Sequence, residues 1–276
     1  MKTNIKLAAL ALLFATLNAQ RSTCFAQGSL TPPGVPAPTM KTLAQIEPRT
    51  PISSAPVTIS VPGSYYLTTN LSVATGDAIT IATNGVTLDL SGFTIASIAP
   101  SATGYGIRLN SGLSDLTIFN GHIRGGVTNY AIGGVYSGPG FQYGISYTGN
   151  IPGNTRISGV SVSGCLSYGI NLATGDALVV ESCTVRSVGG YGIVASTIKG
   201  SMAVDCGGNA ISGYEVSDSR GISTGSGIGL YAVTGQNCHG SSESGTYGLY
   251  ALTALNCYGG NNSGSYGLYA NTAQNC

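Results

Sequence analysis

Tryptophan is absent from this chain of 276 residues, and Asp, Glu, Lys and Arg together make up only 8% of it. An ordinary globular domain carries about 25% charged residues. A helical surface laced with ion pairs is therefore excluded, and the lack of strong helix formers at amphipathic spacing excludes a helix bundle. Net charge is +1, and the eleven Lys and Arg are scattered along the chain without a basic stripe. Nucleic-acid binding thus has no electrostatic footprint in the sequence. After the N-terminus no run reaches about 18 apolar residues, so no membrane span is expected. No two cysteines form a Cys-x-x-Cys pair, and His122 and His239 stand alone at expected surface positions. Neither a metal nor a cofactor site is expected from such a pattern.

What the chain has is glycine, small polar residues and β-branched residues, with 42% hydrophobic overall, too many for a disordered chain. It also has a repeat. Gly229-Leu230-Tyr231-Ala232, Gly248-Leu249-Tyr250-Ala251 and Gly267-Leu268-Tyr269-Ala270 recur with a period of 19, as do Asn237-Cys238, Asn256-Cys257 and Asn275-Cys276. A fixed period near 20 in β-type sequence means one supersecondary unit stacked on its own copies.

The first 26 residues read as an export signal. Lys2 and Lys6 form a basic start, Leu7 to Leu17 an apolar centre, and Cys24-Phe25-Ala26 a small-residue cleavage site before Gln27, with a cut after Ala19 as the alternative. The apolar centre is too short to span a bilayer. Secretion to the periplasm, cell surface or medium follows. Residues 27–56 hold seven of the eleven prolines and read as a linker or N-terminal cap. Met40, Leu43 and Ile46 are spaced for one helical turn there.

From residue 57 to 276 strand signals dominate, as in Val57-Thr58-Ile59-Ser60-Val61 and Val86-Thr87-Leu88-Asp89-Leu90. Tyr-Gly-Ile/Leu recurs at Tyr105, Tyr143, Tyr168, Tyr191, Tyr247 and Tyr266, with early spacings that vary and late ones that settle to 19. A left-handed β-helix would keep a hexapeptide rhythm. The spacing predicts instead an all-β, right-handed parallel β-helix of about ten coils, a rod on the order of 45–50 Å long. Alternation puts Arg108, Ser146, Asn171, Val194, Tyr231, Tyr250 and Tyr269 in one exterior column. Tyr231, Tyr250 and Tyr269 are candidate sugar-stacking residues. The competing reading is that their rings stack on one another and stiffen the sheet.

Cys165, Cys183, Cys206, Cys238, Cys257 and Cys276 each follow a turn-type residue and are expected in one column beside an asparagine ladder that includes Asp205. Parallel stacking keeps their Cβ atoms near 4.8 Å apart, beyond the usual disulfide range, which favours buried thiols. Asp77 and Asp176 lie in a repeated Ala-Thr-Gly-Asp-Ala turn. The acids left over are Glu181, Glu215 and Asp218, with Arg186, Lys199 and Arg220 near them in sequence. An enzyme would use these as paired acid and base, or as acids holding Ca²⁺ beside an Arg base.

The stretch GSLTPPGVPAPTMKTLAQIEPRTPI, followed by PGSYYLTTNLSV, GVTLDLSGFTI and the Tyr-Gly-Ile coils, resembles exported right-handed parallel β-helix repeat proteins of Planctomycetes- and Verrucomicrobia-type bacteria. More broadly the coils are similar to pectate-lyase-like β-helices, whose acid and basic motifs are not visible here. The resemblance implies the fold and export, and transfers no catalytic residue. Such chains close with a divergent polar segment, whereas this one stops mid-repeat at Cys276. A truncated sequence is expected, the alternative being end-to-end contact with another copy or partner. Two functions stay open. One is a non-catalytic exported module that binds polysaccharide. The other is a polysaccharide lyase, hydrolase or epimerase.

Overall fold

The computed structural model describes residues 47–131 and 134–276. The expected export signal, the turn at Met40, Leu43 and Ile46, and most of the proline-rich stretch lie outside the described residues. The described chain from Pro48 onward is one compact unit. It is all-β and forms the expected parallel β-helix of about ten coils. No helix among the described residues is long and apolar enough to cross a membrane.

Each coil contributes to three parallel sheets, and the inward residue of each strand stacks on its counterpart one coil away. In the first sheet the inward ladder runs Val57, Ile79, Ile107, Ile145, Ile170, Ile193, Ile211, Leu230, Leu249 and Leu268. These ten rungs count the coils. In the second sheet the ladder is Leu88, Ile118, Ile157, Val180, Ile198, Val216, Gly235, Ala254 and Ala273. In the third it is Ile95, Ile123, Val162, Val185, Ala203, Gly221, Gly240 and Gly259. The solenoid already begins within the proline-rich segment, since Thr50–Ile52 pairs in parallel with Gly63–Leu67.

In the second and third sheets the inward side chains shrink along the chain, from Leu and Ile to Ala and Gly, as the coils shorten to 19 residues, while the first sheet keeps Ile and Leu to the end. In these last coils the third sheet closes onto the first. A Cβ on Gly221, Gly240 or Gly259 would strike the carbonyl of Gly229, Gly248 or Gly267 respectively. The glycine of the Tyr-Gly-Ile motif has a related cause. A Cβ on Gly169 would sit 2.7 Å from the Gly192 oxygen in the next coil and inside the Val185 methyls.

The corner between the second and third sheets repeats a left-handed residue. Asn120, Gly159, Ser182, Gly200, Asp218, Asn237, Asn256 and Asn275 all have φ between 40° and 70°. Only Gly, and among the rest chiefly Asn and Asp, adopts this conformation at low cost. Side-chain amides bridge the last steps, Asn237 donating to Asp218 at 3.0 Å, Asn256 to Asn237 at 3.2 Å and Asn275 to Asn256 at 3.2 Å. One antiparallel hairpin, Thr128–Ala131 with Val135–Ser137, stands outside the coils.

The glycine column yields a test. Gly169→Ala should destabilise the protein by about 1–3 kcal/mol through overpacking. Thr234→Ala, in the exterior of the second sheet, should shift stability by less than about 0.5 kcal/mol. Urea unfolding of both variants checks this, and equal midpoints would remove the inter-coil contact as the reason for glycine.

Candidate functional site

The expected exterior column of the first sheet is present and gains Ser212. It runs Arg108, Ser146, Asn171, Val194, Ser212, Tyr231, Tyr250 and Tyr269. The three tyrosine rings stack at 5.3 and 5.2 Å with planes within 10°. Tyr105, Tyr143, Tyr168 and Tyr191 stack in a second column beside it, which resumes with Tyr247 and Tyr266 at 5.5 Å. The two columns meet edge to face, Tyr247 against Tyr250 at 5.3 Å and 72°. Inner ring faces are thus covered by neighbouring rings. Edges and hydroxyls face outward, and Tyr231 and Tyr269 remain 38% exposed. Ser212 leaves one face of Tyr231 uncovered by another ring.

The carboxylates and arginines singled out in the sequence fall on three different surfaces. Glu181 points out of the second sheet, forms an ion pair with Arg156 and lies in register beside Lys199. Glu215 is on the same sheet between Thr197 and Thr234, in a shallow depression of about 230 Å³. It sits two coils and two residues from Glu181, which puts their Cα atoms on the order of 12 Å apart. Asp218 belongs to the asparagine corner and accepts from Asn237. Arg186 and Arg220 project from the third sheet, around that corner. No acid and base among these five are brought together.

Two sequence expectations need correction. Asp218, not Asp205, is the acid in the asparagine ladder. Asp205 lies at a bulge in the third sheet, where Val204 and Asp205 together oppose Ile222. Its carboxylate accepts from Tyr136 at 2.8 Å, Ser187 at 2.7 Å, Asn129 at 3.1 Å and Thr224 at 3.2 Å. These bonds fasten the hairpin to the coils. Partial burial works against the charged form, but the four donors outweigh it and hold the Asp205 carboxyl below the ordinary range.

The cysteines occupy two columns rather than one. Cys165 and Cys206 stack through Val188. Cys183, Ser201, Ser219, Cys238, Cys257 and Cys276 follow the asparagine corner, with Ser201 and Ser219 accepting the amides of Cys183 and Ser201. All six are free thiols. Burial pushes the Cys165 thiol up to about 12 and the Cys183 thiol up to about 11, so neither is a nucleophile at neutral pH. Among the described residues no three His, Cys, Asp or Glu side chains converge on a metal position. Sequence reasoning missed the grouping of Arg124 with Arg186 and Arg220 on one sheet, because only strand register brings them together.

Two measurements follow. In the native protein Cys276, which is exposed, should react with DTNB while Cys165, Cys183 and Cys206 stay silent until urea is added. Mass mapping of labelled peptides reads this directly, and fast labelling of Cys165 would contradict its burial. For Asp205, whose folded value is depressed, the stabilisation is complete above the unfolded value near 4 and disappears as pH falls through the folded one. Hydrogen exchange, corrected for intrinsic rate, should show Thr128–Ala131 and Val135–Ser137 losing protection at low pH ahead of the coils, and Asp205→Asn should remove that pH dependence. Comparison with protein-family models, with curated proteins and with solved structures finds no match for this chain.

Proposed function

We propose that this chain is an exported, non-catalytic β-helix module of the cell surface or extracellular space that binds polysaccharide along its exterior ladders. The observation that carries this reading is the dispersal of the candidate acids. Glu181 is paired with Arg156 toward the preceding coil, Asp218 is held in the asparagine corner, and Glu215 stands two coils the other way, its Cα on the order of 12 Å from that of Glu181. A hydrolase needs its two carboxyl groups roughly 5 to 9.5 Å apart, and proton transfer needs hydrogen-bond reach. The lyase or hydrolase alternative has no comparable support.

Export rests on the basic start, short apolar centre and small-residue cleavage site of residues 1–26. The resemblance to exported β-helix repeat proteins points the same way. Of the exterior ladders, the tyrosine columns offer a long row of phenol hydroxyls and ring edges, with an open ring face at Tyr231.

A panel of neutral and charged polysaccharides, read both by pull-down and by release of reducing or unsaturated ends, tests the reading. Retention without product is expected. Tyr250→Ala with Tyr269→Ala should abolish retention of neutral polysaccharide and leave the far-UV spectrum unchanged. Unchanged retention would refute the tyrosine site, and product release lost in Glu215→Gln would overturn the non-catalytic reading.

A further inference from the structure

The arginines that have no carboxylate partner share one face of the solenoid. Arg49, Arg108 and Arg156 pair with Asp89, Asp77 and Glu181, and Lys199 lies in register beside Glu181. The other basic side chains among the described residues are Arg124, Arg186 and Arg220. All three are exposed on the outer side of the third sheet. Both histidines are there too, His122 two residues before Arg124 and His239 in register with Arg220.

No Asp or Glu stands in register with any of these five residues in the coil before or after. Of the acids at the margins, Glu243 lies one residue past the His239–Ser242 strand, at the far end of the stripe, and the other two are committed elsewhere. Asp205 is turned into the hairpin network on one side, and Asp218 accepts from Asn237 at the corner on the other.

Register fixes the spacing. Arg124, Ser163 and Arg186 follow one another in a single column, so the two arginines are two coils apart. Arg220 lies two coils beyond Arg186, in the neighbouring column. The three guanidinium groups therefore recur about every 10 Å along the axis. The stripe starts in a shallow depression of about 340 Å³ lined by His122, Arg124, Ser161 and Ser163. Each of these side chains can donate a hydrogen bond, and none carries negative charge.

We infer that this stripe binds a linear polysaccharide carrying one fixed anionic group, a carboxylate or a sulfate ester, per disaccharide. A guanidinium fork matches such oxyanions in bidentate geometry. A step of about 10 Å is close to the rise of one disaccharide along an extended chain of equatorially linked sugars, so alternate sugars meet an arginine. A single-stranded nucleic acid fits less well. Its phosphates recur more closely than the arginines, and the face lacks a row of aromatic rings for base stacking, offering only Tyr258 beyond His239. The stripe has no carboxylate with which to hold Ca²⁺, so binding is metal-independent.

The inference rests on the reading of the chain as a polysaccharide-binding module but uses a different face from the tyrosines. The two can therefore fail separately. The full chain is titrated by biolayer interferometry in EDTA at low salt against hyaluronan, chondroitin sulfate, neutral dextran and an oligothymidylate. Binding of hyaluronan and chondroitin sulfate alike identifies the carboxylate as sufficient, and binding of chondroitin sulfate alone identifies the sulfate ester; either supports the stripe. Affinity should fall with added NaCl.

The triple variant Arg124→Gln, Arg186→Gln, Arg220→Gln should weaken binding at least about tenfold and flatten the salt dependence. The variant Thr234→Ala, on the outer face of the second sheet, should bind the anionic chains as wild type does. If the triple variant unfolds, Arg186→Gln alone carries the test with a loss of about fivefold. No binding to either anionic polysaccharide, unchanged binding by the arginine variant, or equal affinity for oligothymidylate overturns the inference.

Discussion

Each coil hydrogen-bonds to the next in parallel register, so the nearest neighbours of any side chain are the residues at the same place one coil before and one coil after. Two like charges in that relation sit about 5 Å apart and repel by roughly 1 kcal/mol in water and several-fold more near a protein surface. A column can repeat Ile, Tyr, Thr or Asn at will, but not Arg or Glu. The scarcity of charge follows from this, and so does the placement of the charges that remain. Arg124 and Arg186 are separated by Ser163, and Glu181 is flanked by Ser158 and Lys199. Where two cationic groups are adjacent, at Arg220 and His239, burial and the Arg220 charge both push the imidazole toward its neutral form.

The same constraint sorts what the sequence could and could not reveal. Residues tied to a strong local motif were legible, which is why the column through Arg108, Ser146, Asn171, Val194 and the three tyrosines was readable from Tyr-Gly-Ile alone. The cysteines were not, because the rule that each follows a turn residue holds at two different corners. Asp205 and Asp218 exchanged roles for a related reason. The bulge at Val204–Asp205 adds a residue to one strand, and nothing in the local pattern announces it. The arginine stripe was illegible in principle. Its members lie in coils of unequal length, so the distance between them in sequence bears no fixed relation to their distance in space.

Charge is thereby partitioned among the faces. The second sheet carries Glu181 and Glu215 with Arg156 and Lys199 and is mixed in sign. The third carries Arg124, Arg186, Arg220 and the two histidines, its one acid, Asp205, being turned into the hairpin network. The first is largely neutral beyond Arg108, which is paired with Asp77 at 2.8 Å, and is lined with tyrosine. A rod with a neutral aromatic side, a mixed side and a cationic side offers three chemically different surfaces built from one repeated backbone unit. Each can change without disturbing the other two, because the interior ladders alone define the coil.

The gradual replacement of Leu and Ile by Ala and Gly on the inner side of the second and third sheets has a kinetic meaning as well as a geometric one. In a stack where each unit contacts only its neighbours, stability is a sum of local increments along one dimension. Coils lined by Ile118, Ile123 and Ile157 bury far more apolar surface than coils closed by Gly240 against Gly248. Opening is therefore uneven. The glycine-lined coils contribute the smaller local increments and open more often than the isoleucine-lined ones.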